Sequence, residues 1–364
     1  MAQNRSSRVN MADVARESGV SLSTVSMVFS DKPGLPAETR QRVLKAARSL
    51  GYNPRRSQTA NPKGVLQTVG LVIKSQFNEI PRSDQFYSQV VAGIEQACRQ
   101  RHLNLMYATM NTDLDNYALE IPSLIDNDSA DGLLLAGMMV DENLSKLLKQ
   151  TGKPVVLVDA YTDGSEYDSI ISDNENGAFQ ATQYLIEKGH RKIGFIGGSD
   201  TGFPSFTDRR RGYRRALQEH QIQESVLVDC YSRREDSIDA ARTLLLEHPE
   251  LTALVGANDF IAINAMIAAN HLGRRVGEDL SIIGFDDILM SESVIPSLTT
   301  MQIDKTAMGR LSVQILLNRE EEPKSGRITV VVHPRLIERN SVKCIQSEPF
   351  PFQADRVDLA ASDS

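Results

Sequence analysis

Residues 10–30 read NMADVARESGVSLSTVSMVFS, and this stretch punctuates itself into two helices. Asn10 is placed to cap the first, Met11, Val14 and Ala15 form its apolar stripe, and Gly19 stops it. Val20 leads to Ser21, which can cap a second helix that buries Val25 and Val28. Two short helices joined by a tight turn containing glycine make a helix-turn-helix. Further along, PAETRQRVLKAARSLGY (36–52) predicts a third helix with Val43, Leu44, Ala47 and Leu50 on one face and a stop at Gly51. Three such helices share one small core and turn their basic side chains outward.

Charge separates this head from the rest. Residues 1–63 carry eleven basic and four acidic side chains, whereas the remainder carries 29 basic and 43 acidic ones. A basic head on an acidic body points to a polyanion that meets the head alone. In a helix-turn-helix the second helix lies in the major groove and its first turn meets base edges. Leu22, Ser23 and Thr24 project there; Leu22 suits a thymine methyl, and Ser23 suits a donor or an acceptor edge. Ser21, Thr24, Ser26, Arg5, Arg8 and the basic face of residues 40–45 suit phosphates, which position without specifying sequence.

The chain of 364 residues, 41% hydrophobic and 24% charged, predicts two or three globular domains. No run approaches the roughly 18 apolar residues of a membrane helix, and the N-terminal MAQNRSSRVNMADVARE has no secretory apolar segment. Three scattered cysteines, Cys98, Cys230 and Cys344, fit a reducing cytoplasm rather than a disulfide framework. Secreted, membrane-spanning, fibrous and disordered classes are excluded on this reading.

From Thr68 the pattern changes to short apolar runs alternating with amphipathic stretches. Strands are predicted at 68–73, 103–109, 131–137, 154–160, 192–198, 225–229, 253–259 and 280–287, with helices at 86–100, 174–188, 208–221, 236–247 and 259–272. The alternation argues parallel sheets flanked by helices, and eight or more strands argue two lobes. Ligands of such sheets sit beyond the strand C-termini. There stand Asp159, Asn258 and Asp259, and Asp286 and Asp287; Arg209 opens a following helix, and Phe86 and Tyr87 begin another. Carboxylates, an amide and a guanidinium beside an aromatic face suit a polyhydroxylated molecule. For Asp259 and Asp287, capping of the next helix is an equal alternative.

The head resembles the DNA-binding part of the lactose/galactose repressor (LacI/GalR) family. The matching residues are Asp13-Val14-Ala15, Ser18-Gly19-Val20-Ser21, Thr24-Val25-Ser26 with Val28, Thr39-Arg40 with Val43, and Leu50-Gly51-Tyr52 with Pro54. The chain departs from the family pattern at two places. Met27 stands where many members carry an arginine suited to guanine, so operator preference should differ. The hinge stretch of residues 55–62 lacks the family's wedging leucine, with Asn61 at its place and Pro62 ending any helix, which leaves Arg55 and Arg56 an electrostatic grip only. The body resembles the family's effector domain, itself similar to periplasmic sugar-binding proteins, through FYSQVVAGIE (86–95), ATQYLIEKGHRKIGFIGG (181–198), Arg209-x-x-Gly212-Tyr213, AND (257–259), GFDD (284–287) and PSLTTMQID (296–304). The resemblance implies effector contacts from Phe86, Asp159, Arg209, Asn258 and Asp286.

The expected architecture is α/β: a helix-turn-helix headpiece (1–54), a linker (55–67) and a two-lobed body (68–345), with a disordered tail (346–364). Lobe one is placed at 68–170 and 302–326, lobe two at 171–301 and 327–345. The six histidines lack metal-ligand spacing, no phosphate loop occurs, and residues 197–201 fail the G-x-S-x-G pattern. No cofactor, metal or enzymatic activity is expected. The expected function is a cytoplasmic, dimeric regulator of transcription, a repressor switched by a sugar-like effector, with operator DNA as partner, a tetramer left open and no membrane association. A transport-type sugar carrier without a DNA role is the alternative, and a sugar kinase fused to a DNA-binding head is a third reading.

Overall fold

The computed structural model describes residues 11–29, 34–50, 66–76, 85–164, 166–223, 226–231 and 234–345. The chain divides into two compact units at Val65 and Leu66.

The first unit contains α1 (Met11–Ser18), α2 (Leu22–Phe29) and α3 (Ala37–Ser49). Gly19 adopts φ 65°, and the Val20 amide donates back to Ala15 O at 3.1 Å, which closes α1. Val14, Val25, Val28, Val43, Ala46 and Ala47 form the core. Leu44, expected inside, is 36% exposed and Ala46 takes its place. At 3.6 residues per turn, positions 43, 46, 47 and 50 share a face, and 44 falls off its edge.

The second unit begins with β1 (Thr68–Gln76), α4 (Gln85–Gln100), β2 (Asn104–Thr112), α5 (Ser123–Asp126), β3 (Gly132–Ala136), β4 (Met139–Val140), α6 (Glu142–Thr151), β5 (Val155–Val158), β6 (Tyr161–Thr162) and β7 (Asp168–Ser172). It continues through α7 (Asn174–Glu187), β8 (Ile193–Ile196), α8 (Pro204–Glu219), β9 (Val226–Val228), α9 (Arg234–Glu247), β10 (Ala253–Gly256), α10 (Asp259–His271), β11 (Ser281–Asp286), α11 (Leu289–Ser293) and β12 (Thr299–Gln302). The last elements are α12 (Lys305–Glu321), β13 (Thr329–Val332) and β14 (Arg335–Ile337). Two six-stranded sheets result, ordered β13-β7-β5-β3-β1-β2 and β14-β12-β11-β10-β8-β9, parallel throughout except for β14. The inner strands are continuous apolar runs, as sheets covered on both faces require: Leu133, Leu134 and Leu135 of β3 and Ile282 and Ile283 of β11 are fully buried.

Three crossovers join the lobes, after β7, after β12 and after β13. The last corrects the expected boundary: Thr329–Val332 pairs with Asp168–Ser172 in the first lobe's sheet, so 327–345 is not wholly lobe two. Ile171 and Ser172 likewise belong to the first sheet, and Gln302 to the second. A buried ion pair holds β13 there. Arg319, near the end of α12, meets Asp168 through Nε (2.6 Å) and Nη2 (2.7 Å), donates to Ser325 O and Gly326 O, and Asp168 also accepts from the Ile328 amide.

Helices approach closely where glycine allows it. A Cβ on Gly309 of α12 would lie 2.0 Å from Val90 O, and one on Gly93 of α4 would lie 2.1 Å from Thr306 O, so α4 and α12 touch backbone to backbone. His190 is structural, its ring bonded to Thr252 Oγ1 (3.0 Å) and Lys343 O (3.1 Å). Among the described residues no helix is long and apolar enough to cross a membrane.

Burial alone would raise the Asp168 carboxyl, but the Arg319 fork and the Ile328 amide hold it below its ordinary value. A depressed carboxylate stabilises the fold above its unfolded pKa and stops doing so as pH falls through the lower folded value. Asp168→Asn should therefore cost about 3 kcal/mol at neutral pH. In urea unfolding series, its deficit against wild type should shrink once pH drops below the ordinary aspartate range.

Candidate functional site

The head presents the first turn of α2. Ser21 caps it as expected, its Oγ accepting from the Thr24 amide at 3.1 Å and lying 2.7 Å from Ser23 Oγ and 2.8 Å from Thr24 Oγ1. Ser21, Leu22, Ser23 and Ser26 are exposed, Leu22 by 52%, while Thr24 and Met27 are half-buried. Beneath them Val25 and Val28 anchor the helix, leaving the polar first turn outward. Arg42 and Lys45 of α3 are exposed and Arg40 is half-buried. Arg5, Arg8, Arg55, Arg56, the Asn10 cap, Gly51, Asn61, Pro62 and the tail lie outside the described residues.

In the body, a cleft of 1320 Å³ opens beyond the C-terminal ends of both sheets, lined by Phe86, Asp159, Arg209, Asn258 and Asp286 among others. All five expected effector residues thus meet in one place. Arg209 is nearly immobilised: Nε donates to Asn174 Oδ1 (2.9 Å), Nη1 to Ala257 O (2.7 Å) and Nη2 to Asp286 Oδ1 (3.0 Å). Its guanidinium lies 3.9 Å from the centre of the Phe285 ring. Asp159 faces it from the first lobe and accepts from Tyr87 Oη (2.8 Å) and Tyr161 Oη (3.3 Å). Burial pushes the Asp159 carboxyl above its ordinary value, opposed by the Tyr87 hydroxyl and by the charges of Arg209 and Lys74. Gly137, with φ 78°, makes room for this pairing, since a Cβ there would lie 2.4 Å from the Tyr87 hydroxyl.

The carboxylates stand on strained backbone. Asp159, Asp286 and Asp287 have φ of 46°, 111° and 54°, a region L-residues avoid. Such strain persists where surroundings over-determine it, and it clusters at binding sites. Asn258 lines the cleft while capping α10 through the Ile261 amide (2.9 Å).

Asp259 and Asp287, for which capping of the next helix was an equal alternative, cap no helix: Asn258 caps α10, and α11 has no side-chain cap. Asp259 is fully buried and accepts from the Ile288 amide (2.8 Å), Ser291 Oγ (2.6 Å) and Thr300 Oγ1. Asp287 pairs with Arg339 at 2.7 Å and accepts from Gln302. Neither lines the cleft.

Among the residues in or beside the cleft that sequence reasoning missed are Lys74, Asn174, Phe203 and Tyr231. Lys74, two residues before the end of β1, has its Nζ 3.0 Å from Asn116 Oδ1 and between the Tyr87 (5.7 Å) and Phe203 (5.3 Å) ring centres. Asn174, at the first crossover, touches Tyr161 Oη (3.3 Å) as well as Arg209, and so joins the lobes. Phe203 and Tyr231, after β8 and near the end of β9, add aromatic walls. Cys230 also borders the cleft, and burial pushes its thiol up to about 12, which disfavours the thiolate. Among the described residues no cluster of three or more His, Cys, Asp or Glu could hold a metal ion.

An exposed helix-turn-helix turn together with a two-lobed effector cleft defines a class: DNA-binding regulators carrying a periplasmic-binding-protein-like sensor. Residues 10–55 match the family described as bacterial regulatory proteins, lacI family, and residues 182–342 match the periplasmic binding protein-like domain. The chain is 32% identical over 337 residues to the HTH-type transcriptional repressor PurR of Edwardsiella ictaluri, covering 91% of this chain and 96% of that one. It is 31% identical over 335 residues to the ribose operon repressor of Haemophilus influenzae, with 91% and 98% covered. Its fold matches the lac repressor dimer bound to operator and the anti-inducer ONPF with a TM-score of 0.71 and 25% identity, over 92% of this chain and 99% of that one. The chain belongs to the lacI family of bacterial regulatory proteins; it is a ligand-responsive, DNA-binding regulator of transcription.

Asn174→Ala removes the acceptor for Arg209 Nε and the bridge to Tyr161. It should cost about 1–3 kcal/mol, the penalty for a buried donor left unpaired, read as a lower urea midpoint at unchanged slope.

Proposed function

We propose that this chain is a dimeric repressor that binds a palindromic operator through paired heads and is switched by a small sugar-like effector in the body's cleft. The observation that carries this is the meeting of Asp159, Arg209 and Asp286 at the strand ends of two lobes, beside the Phe86 and Tyr87 rings. Carboxylates and a guanidinium held by fixed partners take paired hydroxyls in bidentate fashion, and flat rings cover an apolar sugar face. The ribose operon repressor among its relatives supports the same ligand class. Leu22 and Ser23 read bases, with Ser21, Thr24, Ser26, Met27, Arg5, Arg8, Arg55 and Arg56 beside them at the DNA. One head offers few base contacts, so two heads on half-sites about one helical turn apart supply the specificity. The site runs no chemistry: its acids serve as hydrogen-bond acceptors and ion-pair partners, not as nucleophiles or proton donors.

The test is a gel shift on the gene's own upstream region, with and without candidate sugars. Binding should fall steeply with salt and shift with the effector. Asp286→Ala should abolish the effector response and leave DNA binding intact; lost DNA binding would sink its assigned role. Ser23→Gln should alter sequence preference, and an equal loss on every sequence would make Ser23 a backbone contact.

A further inference from the structure

Phe203 belongs to the second lobe, yet a ring and a cation packed on it belong to the first. It stands just before α8, with Pro204 in the helix's first turn, and its carbonyl accepts from the Phe206 (2.9 Å) and Thr207 (3.2 Å) amides. Thr207 Oγ1 donates back to Ser199 O (3.2 Å) and Gly202 O (3.3 Å), so the loop that presents the ring is tied to the helix that carries Arg209. From this fixed base the side chain reaches across the cleft. Tyr161 of β6 meets it edge to face, with ring centres 5.1 Å apart and planes at 89°. Lys74 of β1 places its Nζ 5.3 Å from the Phe203 ring centre. Phe203 is only 6% exposed.

The first-lobe half of this contact is held in place without Phe203. Tyr161 Oη donates to Asp159 Oδ1 (3.3 Å) and accepts from Asn174 Nδ2 (3.3 Å). Lys74 Nζ donates to Asn116 Oδ1 (3.0 Å), and Asn116 is itself buried, its carbonyl accepting from the Met139 amide (2.9 Å). The ammonium therefore lies between two rings, Tyr87 of the first lobe and Phe203 of the second. Elsewhere in the cleft lining, Gln85 Oε1 at the start of α4 accepts from the Met290 amide of α11 (3.0 Å), a second tie between the lobes. Swinging the lobes apart breaks an aromatic pair, takes one ring face from a cation and wets an apolar side chain, all at once.

We propose that Phe203, seated between Lys74 and Tyr161, is a latch that holds the two lobes closed in the chain without effector. It acts whatever effector the cleft takes. Together the two ring contacts weight the closed form by a factor of about ten over the open one. The lobe angle of the effector-free chain is thereby set by the chain itself. An effector that enters by parting the lobes must first unseat the ring, so its apparent affinity is scaled by the fraction of chain whose ring has left.

The chain contains no tryptophan, so Phe203→Trp puts a single indole at the latch of the full, effector-free chain. Its fluorescence should be that of a buried indole and resist acrylamide quenching; the emission of a solvent-exposed indole overturns the latch. Paired spin labels read the lobes directly, at Asn143→Cys on α6 and Thr243→Cys on α9, both exposed. The background carries Cys98→Ala, Cys230→Ala and Cys344→Ala, and labelled chain is diluted into unlabelled excess so that distances within one chain are measured. With Phe203 in place the distance distribution should be single and narrow. Phe203→Ala should add a second distance, raising the open fraction about tenfold, and Lys74→Ala should move it in the same direction; an unchanged distribution in either variant overturns the latch. Should Phe203→Ala fail to fold, the indole emission of Phe203→Trp still decides.

Discussion

The guanidinium of Arg209 is a full positive charge on a side chain only 5% exposed. A charge so placed must be compensated from every side, because an unpaired buried ion costs several kcal/mol. Its partners come from three different places: the crossover after β7 (Asn174), the end of β10 (Ala257 O) and the end of β11 (Asp286). Satisfying one side chain therefore fixes the hinge-side wall and two strand ends of the second lobe at once. Asp286, whose carboxylate meets this fork, also holds a positive φ of 111°.

A second buried cation works from the other lobe. Lys305 opens α12, which packs on the first lobe, yet its Nζ donates to Asp286 O and, at 3.1 Å, to Asp287 O of the second. Burial pulls the Lys305 ammonium below its ordinary pKa, with Asp286 opposing. The end of β11 is thus gripped by Arg209 through a side chain and by Lys305 through carbonyls. The polar groups at this end of the cleft are consequently held in place by the protein itself, which would lower the ordering cost of binding a ligand there.

Much of this was legible in the sequence because the signals are local. Gly19, Ser21, Val25 and Val28 spell out the turn and the buried face of α2 in adjacent letters. Asp159, Asn258 and Asp286 each stand at the C-terminal end of an apolar run, where a strand rule finds them. The failures share a cause as well. Lys74 lies one residue past the predicted end at 73 of a strand that runs on to Gln76, so the rule that found the aspartates at strand ends did not mark it. Asn174 was hidden because β7, DSIIS, is too short and too polar to register as a strand, so nothing marked the crossover behind it. The placement of β13 depends on Arg319 reaching Asp168, 151 residues away in sequence, and no periodicity encodes that pairing. Leu44 was misplaced because it lies beside the buried stripe, off its edge, while the smaller Ala46 falls on it.

The crossovers limit how the lobes can move relative to each other. Two of them are pinned by helix caps: Asp173 accepts from the Asn176 amide (3.3 Å) and Asp304 from the Ala307 amide (2.8 Å). The third touches the first through His333 Nδ1, 2.8 Å from Asp173 Oδ2. Chain passing between the lobes is therefore short and tied to helix ends, which confines relative movement to rotation about the few residues between caps and strands. Asn174 sits on that axis with one hand on Tyr161 and the other on Arg209. On the proposed reading, a ligand that bonds Asp159 on one side and Arg209 with Asp286 on the other would gain its full set of contacts only with the lobes closed. That difference in contact energy between the open and closed forms is the sole means by which a ligand can shift their populations. On the proposed reading, the side chains that would recognise the effector are thus the ones through which its binding would change the lobe angle.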